Sequence, residues 1–167
     1  MKLTYLLTEA EALNGCGPGM EQLRSAKDVN DLIQCFYDRI DYCLANNFPD
    51  NEFLMQYREE LRDAGVFIDE KANIGSRPRL VFLGQSECIL SIDKYAVSRV
   101  YAKHDSILKV KASNNSVIMI DALDNAVIEV EQSDNARVIV NMYADSKCLA
   151  TSGNPRIIHK NRFTYEL

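Results

Sequence analysis

The sequence predicts an α+β chain, with an N-terminal helical region of about three helices over 1–80 and a C-terminal β-solenoid with two-strand coils of about twenty residues over 81–167. Two observations carry the prediction. Apolar residues between Val29 and Leu61 recur at intervals of three and four, which is the spacing of a helix with one buried face. From Gln85 onward the chain falls into rows of ten in which even positions are small or apolar and odd positions are mostly polar, the alternation of a strand.

In chain order, Thr8 and Glu11 have the spacing of a capping box. The segment Gly15-Cys-Gly-Pro-Gly19 breaks the chain, and Pro18 starts a short helix to about Ser25. Asp28 caps a longer helix from about Val29 to Asn46, with Leu32, Ile33, Phe36, Ile40, Cys43 and Leu44 on its inner face. After Asn46-Asn-Phe-Pro49, Asp50 caps a third helix to about Asp63, and Gly65 is placed to close it. Lys71 to Pro78 is polar and turn-rich and reads as the join between the two parts.

In the rows that follow, the second column is Ser86, Ala96, Ser106, Ser116, Ala126, Ala136 and Ser146, all small. The sixth is Leu90, Val100, Val110, Ile120, Val130, Val140 and Ala150, all apolar. Row junctions such as Asn114-Asn115, Asp124-Asn125 and Asp134-Asn135 carry residues that tolerate left-handed backbone, and their stacked asparagines can form ladders. A fixed period of short strands is the mark of a solenoid. Ten residues make one strand and one corner, so a flat coil needs two rows. Lys109 and Lys111 precede Glu129 and Glu131 by twenty residues, which pairs each lysine with a glutamate on the next rung.

Two outer faces follow from parity. One carries Lys109, Lys111, Glu129, Glu131 and Lys147 and reads as solvated. The other carries Val97, Arg99, Tyr101, Val117, Met119, Asp121, Ile139 and Ile157, with Leu123, Tyr143 and Phe163 at an adjoining corner. It is apolar enough to need a cover, so Met119, Ile139, Tyr143, Ile157 and Phe163 are the expected interface, for a protein partner or a second copy.

The stretches Asp41-Tyr-Cys-Leu-Ala-Asn-Asn-Phe-Pro49, Val81-Phe-Leu-Gly84, Val97-Ser-Arg-Val-Tyr-Ala-Lys-His-Asp-Ser106 and Ile120-Asp121 resemble a family of short uncharacterised proteins of gut Bacteroidetes associated with prophages and other mobile elements. The resemblance implies a bacterial or phage-infected cell and assigns no activity to any residue.

Charge and motifs exclude several classes. The net charge of −5 belongs to residues 1–84, which hold 14 acidic against 9 basic residues; residues 85–167 hold 10 of each. Neither half has the basic excess of a nucleic-acid binder. No apolar run is long enough for a membrane span, and Glu9 and Glu11 interrupt the N-terminal one, so no signal peptide is read and a cytoplasmic location is expected. The five cysteines are scattered without CxxC spacing and read as reduced, buried thiols. The six-residue period of hexapeptide acyltransferases is absent, and a pentapeptide repeat fails in the second half of each row. His104-Asp105 is the one suggestive acid–base pair, and its place at a row junction makes it a turn. The acids Asp121, Asp124, Glu129, Glu131 and Asp134 spread over two faces and two corners, which does not suit a calcium site. No cofactor, metal or catalytic residue is expected. The leading expectation is a non-enzymatic protein–protein interaction module of a mobile element, acting on a host protein; the alternative is a structural, self-assembling solenoid.

Overall fold

The structure is a computed structural model that describes residues 3–166. It divides into two compact units, one holding the residues before Gly65 with Tyr165 and Glu166, the other Gly65–Thr164.

The first unit contains α1 (Leu3–Ala12), α2 (Gly17–Ser25), α3 (Val29–Asp38), α4 (Ile40–Asn46), α5 (Asn51–Leu54), a 3-10 turn (Met55–Tyr57) and α6 (Arg58–Asp63), more helical segments than the three expected. The expected helix from Val29 to Asn46 breaks at Arg39, whose φ of −125° and ψ of 35° lie outside helical values. Three expected signals are present. The carboxylate of Asp28 accepts the Asp31 N–H at 3.0 Å, that of Asp50 accepts the Phe53 N–H at 2.7 Å, and Gly65 follows α6 with φ 94°. The capping box is absent: Thr8 lies inside α1 and donates back to the Thr4 carbonyl at 3.0 Å, because the helix begins before it. Leu6, Met20, Leu23, Phe36, Phe53 and Leu61 form the buried interior. The Tyr37 hydroxyl donates to the Ala64 carbonyl at 2.7 Å and ties the last turn to α3.

The second unit is a parallel β-solenoid of about four turns. Its strands are β1 (Val66–Ile68), β2 (Lys71–Ile74), β3 (Arg79–Leu83), β4 (Glu87–Ile92), β5 (Val97–Ala102), β6 (Ile107–Ala112), β7 (Val117–Ala122), β8 (Val127–Gln132), β9 (Arg137–Met142), β10 (Lys147–Ser152) and β11 (Arg156–His159). Odd strands stack in the order β1-β3-β5-β7-β9-β11 and even strands in the order β10-β8-β6-β4-β2. Between β3 and β10 register partners lie twenty positions apart as far as Ala150, as Ile120 does from Val140 and Val110 from Val130. The even columns point inward: Leu90, Val100, Leu108, Ile118, Ile120, Ile128 and Val130 are buried between the two sheets.

Regular turns do not reach the ends. Val66 pairs with Val81 and Lys71 with Glu87, offsets of fifteen and sixteen, so the leading turn is short and escapes the ten-residue period. The solenoid therefore starts before residues 71–78, which the sequence reading made a join, and Phe67 stacks on Phe82 with ring centroids 5.3 Å apart. At the other end Ile157 pairs with Val140, an offset of seventeen. An odd offset reverses parity, so Ile157 joins the inward column rather than the outward row expected of it.

Corners repeat as closely as strands. Gly84, His104, Asp124 and Ala144 on one side, and Lys94, Asn114 and Asp134 on the other, all have positive φ. At several of them the side chain one turn later accepts the corner N–H: His104 Nδ1 from Gly84 at 3.0 Å, Asp124 Oδ2 from His104 at 3.3 Å, and Asp134 Oδ2 from Asn114 at 2.9 Å. The second column is small because it packs inside the turn, and its serines bond there. Ser86, Ser106 and Ser116 donate to the carbonyls of Leu83, Lys103 and Ser113 at 2.7–2.8 Å. The expected ladders form at both corners, Asn125 to Asp105 at 3.1 Å on one and Asn135 to Asn115 at 3.3 Å on the other.

Candidate functional site

The acidic run is the first place to look for chemistry, and the rung geometry accounts for all of it. Glu129 and Glu131 meet Lys109 and Lys111 at 3.4 and 3.5 Å. Asp124 meets the buried Lys103 at 2.9 Å, and Asp134 caps the corner at Asn114. Asp121, 1% exposed, accepts from Arg99 at 2.9 Å and from the Asn141 amide at 2.7 Å. Arg99 also lies over the Tyr101 ring, 5.4 Å from its centroid. A carboxylate so buried is held by its partners: charge-assisted bonds from both sides replace the water it loses. This network runs up three rungs of the odd sheet and is built of one outward column and its neighbour.

His104 is used by the corner. Its Nδ1 accepts a backbone N–H, so the ring there is unprotonated. Burial and then Lys103 hold its pKa below the ordinary value, against the opposing pull of Asp124, Asp105 and Asp69. Of the thiols, Cys43 and Cys88 are buried, Cys35 and Cys148 are half-buried, and Cys16 is exposed, unlike the expectation of five buried ones. Burial pushes Cys88 and Cys148 up to about 11 and raises Cys35 and Cys43, so these four stay protonated thiols at neutral pH. Among the described residues no group of three or more His, Cys, Asp or Glu side chains is placed to hold a metal ion, and no helix is long and apolar enough to cross a membrane.

The five residues expected to form an interface do not form one row. Met119 and Ile139 are register partners, half-buried, side by side on the odd sheet. Tyr143 is 6% exposed. Ile157 stands in line with Val140 and is 37% exposed, and Phe163 is 80% exposed beyond the last strand. What the structure opens instead is the C-terminal end of the stack. Strand β10 pairs with β8 alone, and its inward Ala150 is exposed where every earlier member of that column is buried. Leu149, 57% exposed, sits beside it. Bonding inside the turn also stops here: the Ser146 hydroxyl has no partner, although three other serines of its column bond to the carbonyl three residues back. A signal for Leu149 and Ala150 exists in the sequence, since the seventh row has the smallest residue of the sixth column and serine in the eighth.

Two devices blunt this edge. The pairing of β10 with β8 slips between Ala150 and Ser152, a bulge. Gly153 then turns with φ 76° so close to the Gln132 carbonyl that a Cβ would stand 2.5 Å from that oxygen. The fold defines a short two-sheet parallel β-solenoid with an open C-terminal end. In comparisons with known proteins, no family model, no curated protein and no solved structure matches the chain.

Proposed function

We propose that the protein is a non-enzymatic protein–protein interaction module that receives an extended segment of another protein along β10. The observation that carries this reading is the exposed core column at Ala150, flanked by Leu149 and followed by Ile157 and Phe163. An unpaired strand edge offers a row of backbone donors and acceptors, and apolar side chains beside it supply the area that an added strand needs. Tyr95 and Val97 are also exposed, at 81% and 68%, but β5 lies between β3 and β7 and has no free edge. The resemblance of the Asp41–Pro49 and Val97–Ser106 stretches supports a mobile-element origin and a host protein, inside a bacterial cell, as the partner.

Self-assembly is the second reading, and the ends oppose it. Stacking copies head to tail in register sets Lys147 of one against Lys71 of the next, since both occupy the column that runs through Glu87, Ile107 and Val127. Like charges directly opposite on neighbouring strands are destabilising. The test is a capture experiment with Leu149→Asp combined with Phe163→Ala. Both residues are exposed, so the variant should melt within a few degrees of the parent. A partner retained by the tagged protein should be displaced by excess untagged parent and not by excess variant. Equal displacement by both removes the end from the interface; a sedimentation series showing concentration-dependent polymers of the parent alone favours self-assembly.

A further inference from the structure

The helical unit holds a partly open apolar cavity of about 80 Å³ between its helices, walled by side chains that include the buried Leu6, Met20, Phe36 and Phe53. One charged group reaches this wall. Arg39 sits at the break between α3 and α4, and its Nε is shut off from solvent with no hydrogen-bond partner. The guanidinium's bond to the Asp38 carbonyl, from Nη1, is 3.5 Å long, at the limit of bonding. The neighbouring carboxylates are engaged elsewhere: Asp38 accepts from Gln22 and Gln34 at 2.7 and 2.6 Å, and Asp31 from the Lys27 N–H at 2.8 Å. Gly19 packs beside the guanidinium: a Cβ there would stand at ordinary contact distance, 3.5 Å, from Arg39 Nε, and closer, 3.2 Å, to Cys16 Sγ.

A buried donor on a charged group is costly to leave unmade, and native proteins keep few of them. An apolar cavity with one unmet cationic donor, the Nε of a half-buried arginine, in its wall suits an apolar tail ending in a carboxylate. We infer that this cavity binds a short-chain monocarboxylate, with the tail among the apolar side chains and the carboxylate on Arg39. The volume has room for several waters, so the tail is a handful of carbons long.

The experiment is calorimetric titration of the whole chain with hexanoate, hexanol and acetate at neutral pH. Hexanoate should bind with one site per chain. Hexanol keeps the tail without the charge, and acetate the charge without the tail; each should bind at least about tenfold more weakly, as loss of one charge-assisted hydrogen bond or of the buried methylenes requires. Arg39→Gln should lose the preference for hexanoate over hexanol while still binding hexanol. Should that variant fail to fold, Arg39→Lys, which keeps the positive charge and removes the Nε–H, should weaken hexanoate more than hexanol. Equal binding of hexanoate and hexanol, no binding of hexanoate at millimolar concentration, or an unchanged preference in the folded variant overturns the inference.

Discussion

The two units solve the same problem, burying enough apolar surface to be stable, in opposite ways. In the helical unit each device is used once: Asp28 caps one helix, Asp50 another, and Tyr37 ties one carbonyl. In the solenoid each device is a column. The apolar sixth position, the serine hydroxyls inside the turn and the left-handed corners recur with the period of the coil. A change in the helical unit therefore disturbs one site, whereas a change in a solenoid column disturbs the rungs on both sides of it. Parallel pairing at a spacing of about 4.8 Å makes every residue a neighbour of its own column.

The sharpest way to break that contrast is in the core column. Ile120→Asp buries a carboxylate between Val100 and Val140, both fully buried, and should cost about 5 kcal/mol or more in urea unfolding. A variant as stable as the parent contradicts the inward column. Arg99→Ala comes next. It strips the closest cation from Asp121 and leaves Asn141 as partner, so a loss of about 3 kcal/mol is expected, recovered in part by adding Asp121→Asn.

A smaller effect separates the corners from the strands. Because the folded state lowers the pKa of His104, its contribution to stability is complete above the ordinary value of 6.5 and is lost as pH falls through the lowered one. Between pH 7.5 and 5.5 the parent should lose more stability than His104→Asn, which keeps an acceptor without titrating; equal losses would remove the ring from the corner ladder. The smallest effect is on the solvated face. Lys109→Glu should cost about 0.2–1 kcal/mol, and adding Glu129→Lys should restore it, with coupling measured in a double-mutant cycle.

The same contrast explains what could be read from sequence. Repetition exposes the solenoid: the spacing of Lys109 from Glu129 and of Lys111 from Glu131 specifies a twenty-residue coil, and the asparagines at row junctions specify the Asn135–Asn115 ladder at the corner. Where repetition failed, so did the reading. The fifteen-residue leading turn hid β1 and β2, and the seventeen-residue last turn carried Ile157 to the opposite face. In the helices, caps at Asp28 and Asp50 were legible because an N-cap is a local contract between neighbours, but the break at Arg39 follows from packing that no local pattern records. The residues of the expected interface divide in the same way. Met119 and Ile139 stand side by side as the twenty-residue period dictates, while exposure at Leu149 and Ala150 is a property of being last in the stack.

The central functional claim is that the working surface lies at the end of the solenoid rather than on its faces. It is tested most directly by placing a photo-cross-linking amino acid singly at Leu149, Met119 and Glu131 and irradiating cells that express each variant. The account predicts a discrete heterologous adduct from position 149, weak or no adduct from 119, and none from 131. Adducts that arise from position 119 or 131 and not from 149 would contradict it.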